Sequence, residues 1–320
     1  MKEFFHGCLC LEECPEGIVP RRFTPEQLAY WDSTGIVRSS RARSCAGVTI
    51  RMITQEPEIS FSYQVLSHCK ESMTFDLYEN GHLSDSTTHL CAQGSGQVCF
   101  SSVYGTSPRE VTIYLPYTAE LALHHFHFGA SAVAIAREQG GILWLGDSIS
   151  QGMHAAHPSQ TLTAILERHW RREIVNQGVG GCGVKDIPED FTYGGWKPDI
   201  LVMLLGTNDT GPALEDWEAY SQKLNKRIEQ ACLAFGAENI RLILPFWRAD
   251  EVKPEIGEPL RKILNCLRQQ AATRKIPMWD GWKLAPHCGD FYADQRLHPN
   301  DTGFTILAHA LESMITPPNP

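Results

Sequence analysis

Ile142-Leu143-Trp144-Leu145-Gly146-Asp147-Ser148-Ile149-Ser150-Gln151-Gly152 is an apolar run that ends at a glycine and is followed within two residues by a serine. A short, fully apolar segment bounded by glycine reads as a buried strand of a parallel sheet, because such strands are covered on both faces. Gly146-Asp147-Ser148 then turns the chain toward a helix. The serine hydroxyl is left at the carboxyl end of the strand, where open α/β sheets keep their active sites.

Downstream of this stretch, strands alternate with helical segments. The pattern predicts a helix near 158–172, strands over 174–176 and 200–205, a helix near 214–235 and a strand over 240–244. A helix near 259–273, a strand over 276–279 and a last helix from Pro299 to Met314 follow. Such alternation implies a parallel sheet with helices on both faces.

Upstream the texture differs. Val48, Ile50 and Met52 alternate with polar residues, as do Ile59, Phe61, Tyr63 and Val65, which marks strands with one wet face. Asn80-Gly81 between two such runs predicts a hairpin, since both residues tolerate the positive φ of a type I′ turn. Further strands are expected over 97–103, 111–115, 121–128 and 131–136, and a helix over Pro25 to Trp31 capped by Thr24. The expectation is an antiparallel β-sandwich of jelly-roll kind over residues 1–138, and an α/β domain over 139–320.

Composition narrows the function. The 320 residues include 42% hydrophobic ones, enough for two cores, and no apolar run approaches the ~20 residues of a membrane helix. The first residues lack the blocks of a secretory signal, so the cytoplasm is the expected location. A formal net charge of -9 argues against a nucleic-acid partner. The runs Arg38 to Arg43 and Arg168 to Arg172 read as solvated surface. Eleven cysteines without framework spacing suit reduced thiols better than disulfides. Cys8, Cys10 and Cys14 lack a fourth ligand at zinc spacing. On an uninterrupted strand His125 and His127 would share a face with Leu121 and Leu123, and His124 would go with Phe126 and Phe128. No carboxylate or cysteine completes a metal set there.

Four pieces carry the chemistry. Gly146-Asp147-Ser148, Asn176-Gln177-Gly178-Val179-Gly180-Gly181 and Gly206-Thr207-Asn208-Asp209 each follow a predicted strand, and Asp294-Gln295-Arg296-Leu297-His298-Pro299-Asn300 precedes the last helix. In this order they resemble the blocks of the SGNH hydrolases, or GDSL esterases and lipases, over residues 142–316. The resemblance implies a flavodoxin-like three-layer domain, with Ser148 as nucleophile, Gly181 and Asn208 as oxyanion-hole donors and His298 as base. The beta-rich front half, with Asp76-Leu77-Tyr78, is similar to the N-terminal domain of some two-domain carbohydrate esterases.

Physical chemistry fits those roles. A serine hydroxyl needs a base within hydrogen-bond reach, and histidine can take and return the proton. Donors preorganised around the developing oxyanion are worth ~3–4 kcal/mol each. Ser148 can add its own backbone N–H to that of Gly181 and to the side-chain N–H of Asn208, while Asp147 reads as a structural residue of the turn. The family usually places an Asp three residues before the His, where this chain has Gln295. Either Asp294, one residue earlier, completes a triad, or the site is a dyad with a backbone carbonyl or Asp290 holding the imidazole.

Rival patterns are weaker. Gly178-Val179-Gly180-Gly181-Cys182-Gly183 satisfies a dinucleotide fingerprint but does not open into a long helix, as Pro188, Gly194 and Gly195 intervene. Ser150 stands where a Gly-x-Ser-x-Gly elbow needs glycine. A non-catalytic carbohydrate-binding protein would use Trp144, Trp196, Trp247, Trp279 and Trp282 to stack on sugars. The expectation is a serine esterase acting without metal or organic cofactor on a small acyl, first of all acetyl, ester of a saccharide. A short-chain lipid or aryl esterase and a thioesterase are its alternatives, and a homo-oligomer is compatible with the sequence.

Overall fold

The structure, a computed structural model, describes residues 1–137, 140–191, 193 and 195–315. It divides into two units, Met1–Gln139 with Ala156–Ser159, and Gly140–Ala155 with Gln160–Pro320. The domain boundary expected between residues 138 and 139 lies outside the described residues.

The first unit holds β1 (Phe5–His6), β2 (Cys10–Cys14), β3 (Gly17–Arg21), α1 (Pro25–Ser33), α2 (Ile36–Arg43), β4 (Thr49–Thr54) and β5 (Glu58–His68). It continues through β6 (Ser72–Glu79), β7 (His82–Leu90), β8 (Ser95–Ser101), β9 (Arg109–Tyr114), β10 (Ala119–His127) and β11 (Val133–Ala134). One antiparallel sheet has the order β1-β4-β9-β6-β7 with β11 beside β4, and the other β2-β3-β10-β5-β8. Alternate residues of both meet in one core. Ile50, Met52, Val111 and Ile113 come from the first sheet, and Phe61, Tyr63, Leu121 and Leu123 from the second. Each such buried side chain contributes roughly 1.5–3 kcal/mol.

Local chemistry explains the joins. Asn80 and Gly81 have φ of 50° and 82°, the left-handed pair that closes the β6–β7 hairpin. Thr24 caps α1 through a capping box: its hydroxyl accepts from the Gln27 N–H, and the Gln27 side chain accepts from the Thr24 N–H. Asp76 is fully buried and accepts from Ser86 Oγ (2.7 Å) and from the Ser159 N–H (3.0 Å), which places residues 156–159 in this unit.

Two expectations change. Arg38 to Arg43 is not plain solvated surface but lies on a second helix, α2, whose Ile36 and Val37 face water while Ser40 and Ala42 are buried. The usual hydrophobic signal is thereby inverted. Arg43 ties this helix to Asp32 at 2.7 Å. In β10 the side-chain alternation slips. His125 has φ of 51° and the register shifts between His124 and His127, so Leu121, Leu123 and Phe128 are buried while His125 and His127 are exposed. A bulge adds one residue and exchanges the two faces beyond it.

The second unit alternates as expected. It contains β12 (Ile142–Gly146), α3 (Ser148–Gln151), α4 (Leu162–Trp170), β13 (Ile174–Gly178), β14 (Ile200–Leu204), α5 (Thr210–Glu215) and α6 (Trp217–Phe235). Then come β15 (Ile240–Ile243), α7 (Pro254–Arg274), β16 (Met278–Trp279), α8 (Gly281–Leu284) and α9 (Asp301–Leu311). All strand pairs are parallel in the order β13-β12-β14-β15-β16, the flavodoxin-like arrangement. After β13 the chain crosses over β12 to add β14 on its other side, which makes the carboxyl ends of β12 and β14 the topological switch point where such sheets place their sites. The helix expected over 214–235 is two helices, because Asp216 leaves helical geometry and its side chain caps α6 by accepting from the Ala219 N–H. Among the described residues no helix is long and apolar enough to cross a membrane.

The short helix α3 presses onto the strand ends. A methyl on Gly146 would lie 2.0 Å from Ser150 Oγ, and one on Gly178 would lie 2.6 Å from the Gln151 nitrogen. Glycine at both positions is what lets the serine-bearing turn sit there. Replacing Gly146 by Ala is therefore expected to cost about 1–3 kcal/mol of unfolding free energy through overpacking. Denaturant unfolding of G146A checks this, and an unchanged midpoint would contradict it.

Candidate active site

Ser148 opens α3 directly after β12, with Asp147 as the N-cap. The Asp147 side chain accepts from the Ile149 N–H at 2.9 Å, and burial pushes its carboxyl above the ordinary range. This is the structural part the sequence suggested. Ser148 is 7% exposed, and its Oγ stands 2.9 Å from His298 Nε2. On the other side of the ring, Nδ1 lies 2.7 Å from Asp294 Oδ2. With the proton on Nδ1 donated to the carboxylate, Nε2 is left to accept from the serine hydroxyl.

Asp294 stands four positions before His298, and Gln295 between them has φ of 53°, one left-handed residue in the loop. The Asp294 carboxylate then does two things. Oδ2 faces the imidazole, and Oδ1 accepts from the backbone N–H groups of Arg296 (3.0 Å), Leu297 (2.8 Å) and His298 (3.0 Å). Burial by itself would raise this carboxyl. The Leu297 N–H, the His298 ring and the other backbone donors outweigh it and hold Asp294 well below the usual carboxylate range. Asp290, the other acid considered, contributes its backbone carbonyl to the Asn300 side chain at 2.8 Å.

Gly181 and Asn208 stand on the two neighbouring loops. Gly181 has φ of 83°, in a turn closed by the Cys182 N–H donating to the Val179 carbonyl at 2.9 Å. The Val179 N–H donates to the Gly146 carbonyl at 3.0 Å, which joins this loop to the end of β12. Asn208, half-buried after β14, donates from Nδ2 to the Cys182 carbonyl at 3.0 Å. The structure thus brings Ser148, His298 and Asp294 into one hydrogen-bonded line, and it ties the Gly181 loop to the loops that carry Ser148 and Asn208. Such a set can activate a hydroxyl and polarise a carbonyl beside it.

Several neighbours carry no sequence signal. Arg248 is 6% exposed; its guanidinium donates to the Thr207 carbonyl at 3.0 Å and doubly to Asp250 at 2.5 and 2.9 Å. Asp250 also pairs with Arg296 at 3.1 Å, and the Ala249 N–H donates to the Arg296 carbonyl at 2.9 Å. One short segment therefore fastens both the Asn208 loop and the His298 loop. Asp209 accepts from the Val184 N–H at 3.1 Å; burial, with Asp186 nearby, pushes its carboxyl up to about 6. His154 has φ of 73°, and its ring lies 4.8 Å from that of His298. Only Asp209 could have been found in advance, as the residue beside Asn208. Of the five tryptophans considered for sugar stacking, Trp144 is fully buried and donates to Ser150 Oγ at 2.8 Å, so it is a core residue.

Comparison with known proteins gives the family and the fold. Residues 144–306 match the GDSL-like Lipase/Acylhydrolase family. Among solved structures, the chain is similar to a salicylyl-acyltransferase from a tetracycline biosynthetic pathway, with 17% identity, a TM-score of 0.72, and 96% of this chain and 92% of that one covered. It is also similar to a family 2 carbohydrate esterase with a carbohydrate-binding domain from Corynascus thermopiles (Myceliophthora fergusii), with 15% identity, a TM-score of 0.65 and 92% and 97% covered. An acetyl xylan esterase from the rumen bacterium Butyrivibrio proteoclasticus aligns at 15% identity and a TM-score of 0.59, over 84% and 88% of the two chains. No curated protein sequence matches the chain.

Two outcomes follow from the charges. Removing the Asp250 carboxylate leaves Arg248 buried without its bidentate partner, so D250A is expected to lose about 3 kcal/mol in denaturant unfolding; a loss under about 0.5 kcal/mol would contradict the clamp. Asp209, raised from 3.8 to about 6, binds its proton more tightly when folded. Its contribution is fully present below the unfolded value and is lost as pH rises through the folded one. Relative to D209N, the native chain should therefore lose stability between about pH 4 and 6, by roughly 2–3 kcal/mol. Parallel melting curves for the two proteins across that range would disprove it.

Proposed function

Because the chain belongs to the GDSL-like lipase/acylhydrolase family, we propose that it is a serine esterase that removes a small acyl group, acetyl first, from a saccharide. The observation that carries the reading is the line of hydrogen bonds from Ser148 through His298 to Asp294, at 2.9 and 2.7 Å. Ser148 Oγ attacks the ester carbonyl while His298 Nε2 takes its proton. The ring, now positive, is steadied by the Asp294 carboxylate, which backbone donors keep ionised. The backbone N–H groups of Ser148 and Gly181 and the Asn208 amide receive the oxyanion. His298 passes the proton to the leaving alcohol, and water repeats the steps on the acyl-enzyme.

The saccharide rests on other support. Several solved structures of similar fold bear the names of carbohydrate esterases. Trp247, next to Arg248, is half-buried and stacks on His287 with ring centroids 5.4 Å apart, beside Tyr292 at 5.3 Å. Such an aromatic group offers a flat apolar face of the kind sugars pack against.

Acetate release from acetylated xylo- and gluco-oligosaccharides, measured beside nitrophenyl esters of graded chain length, tests the reading. Acetyl saccharides are expected to outperform longer acyl esters. A preference for long acyl chains, or no fluorophosphonate labelling of Ser148 in the folded protein, would overturn it. D294N is expected to lower kcat by about 10²–10⁴-fold through loss of the correct imidazole tautomer, and near-normal turnover would remove Asp294 from the mechanism.

A further inference from the structure

His169, His309 and Glu312 converge on the surface of the second unit. His169 lies in the last turn of α4 and His309 in the last turn of α9, and Glu312 follows α9 at once. The two helices pack together, and Trp170 Nε1 donates to the Glu312 carbonyl at 2.8 Å, which fixes the backbone of Glu312 against the end of α4. Glu312 Oε1 lies 3.8 Å from His169 Nδ1, and Oε2 lies 3.6 Å from His309 Nδ1. The imidazole rings are 5.4 Å apart. One ligand-capable atom from each of the three residues falls within 4.8 Å of the others, the set with this property among the described residues.

Hydrogen bonding does not account for this convergence. Both nitrogen-to-oxygen separations exceed hydrogen-bond length. His169 Nδ1 is closed off from solvent and has no hydrogen-bond partner, although its side chain is 28% exposed. Exposed ion pairs at such distances contribute little. The carbonyl ends of two helices add negative potential here, which favours a cation.

We propose that His169, His309 and Glu312 form a site for a divalent transition metal of the zinc class, stapling α4 to the C-terminal end of α9. Two imidazoles and one carboxylate match the borderline-soft preference of Zn²⁺, while Mg²⁺ and Ca²⁺ favour sets made of oxygen alone. At ligand distances of ~2.1 Å in a tetrahedron, donor atoms stand about 3.4 Å apart. The donor atoms, now within 4.8 Å of one another, would close to that spacing by side-chain rotation on binding, with water in the fourth position. The site needs no reaction at Ser148, so it stands or falls apart from the esterase reading.

The test is thermal unfolding and calorimetric titration of the full chain, stripped with a chelator, with ZnCl₂ and with MgCl₂. The eleven free thiols can also take zinc, so the H309Q/E312Q double variant, which keeps every thiol, is the control. Zinc is expected to raise the midpoint saturably in the native chain, and the double variant is expected to bind at least about ten-fold more weakly. The variant should also melt like the native apo protein, because both replaced side chains are exposed. No zinc-induced shift, an equal shift in the double variant, or an equal shift with magnesium would each overturn the assignment.

Discussion

The 2.9 Å contact between Ser148 Oγ and His298 Nε2 joins residues 150 positions apart in the chain. It exists because the parallel sheet delivers β12 and its sharp exit at Gly146 to one spot, and because the loop before α9 returns to it. A hydrogen bond of this kind tolerates little displacement, as its energy falls steeply with distance and angle. The rest of the second unit can be understood as the means of holding those two atoms still. Buried strands fix the serine end, and a net of backbone donors and ion pairs fixes the histidine end.

The two ends are held by different physics. At the serine end the constraint is steric: α3 lies so close to β12 and β13 that only glycine fits at 146 and 178. At the histidine end it is electrostatic. Asp294 gathers three backbone N–H groups, and Arg248 with Asp250 and Arg296 closes the loop from outside. Steric constraints hold at any ionic strength. The Arg296 side chain is about half exposed, so its part of the clamp is the one open to screening by salt.

Much of this was legible in the sequence because it depends on local rules. β12 and β14, the central strands of the parallel sheet, are short apolar runs, the β6–β7 hairpin follows from Asn80-Gly81, and the cap on α1 follows from Thr24 with Gln27. Ser148, Asn208 and His298 stood out because glycine turns or a proline mark each of their loops. What escaped depends on tertiary surroundings. The helix α2 turns its apolar residues outward, so periodicity gives it no voice. The bulge at His125 reverses the faces of β10 with no unusual residue to announce it. Arg248 and Asp250 look like ordinary surface charges until folding sets them between two loops. His169, His309 and Glu312 are ion-binding candidates only once α4 and α9 lie side by side.

The left-handed turn at Gln295 has a consequence for how such sites vary. Four positions separate Asp294 from His298, and with one residue between them, Gln295, in the left-handed region, the carboxylate meets the ring. For a side chain other than glycine that conformation costs about 1–2 kcal/mol, a small sum beside the contacts it preserves. A pairing of this kind is therefore found by the distance between carboxylate and ring, 2.7 Å here, more directly than by counting the residues between them.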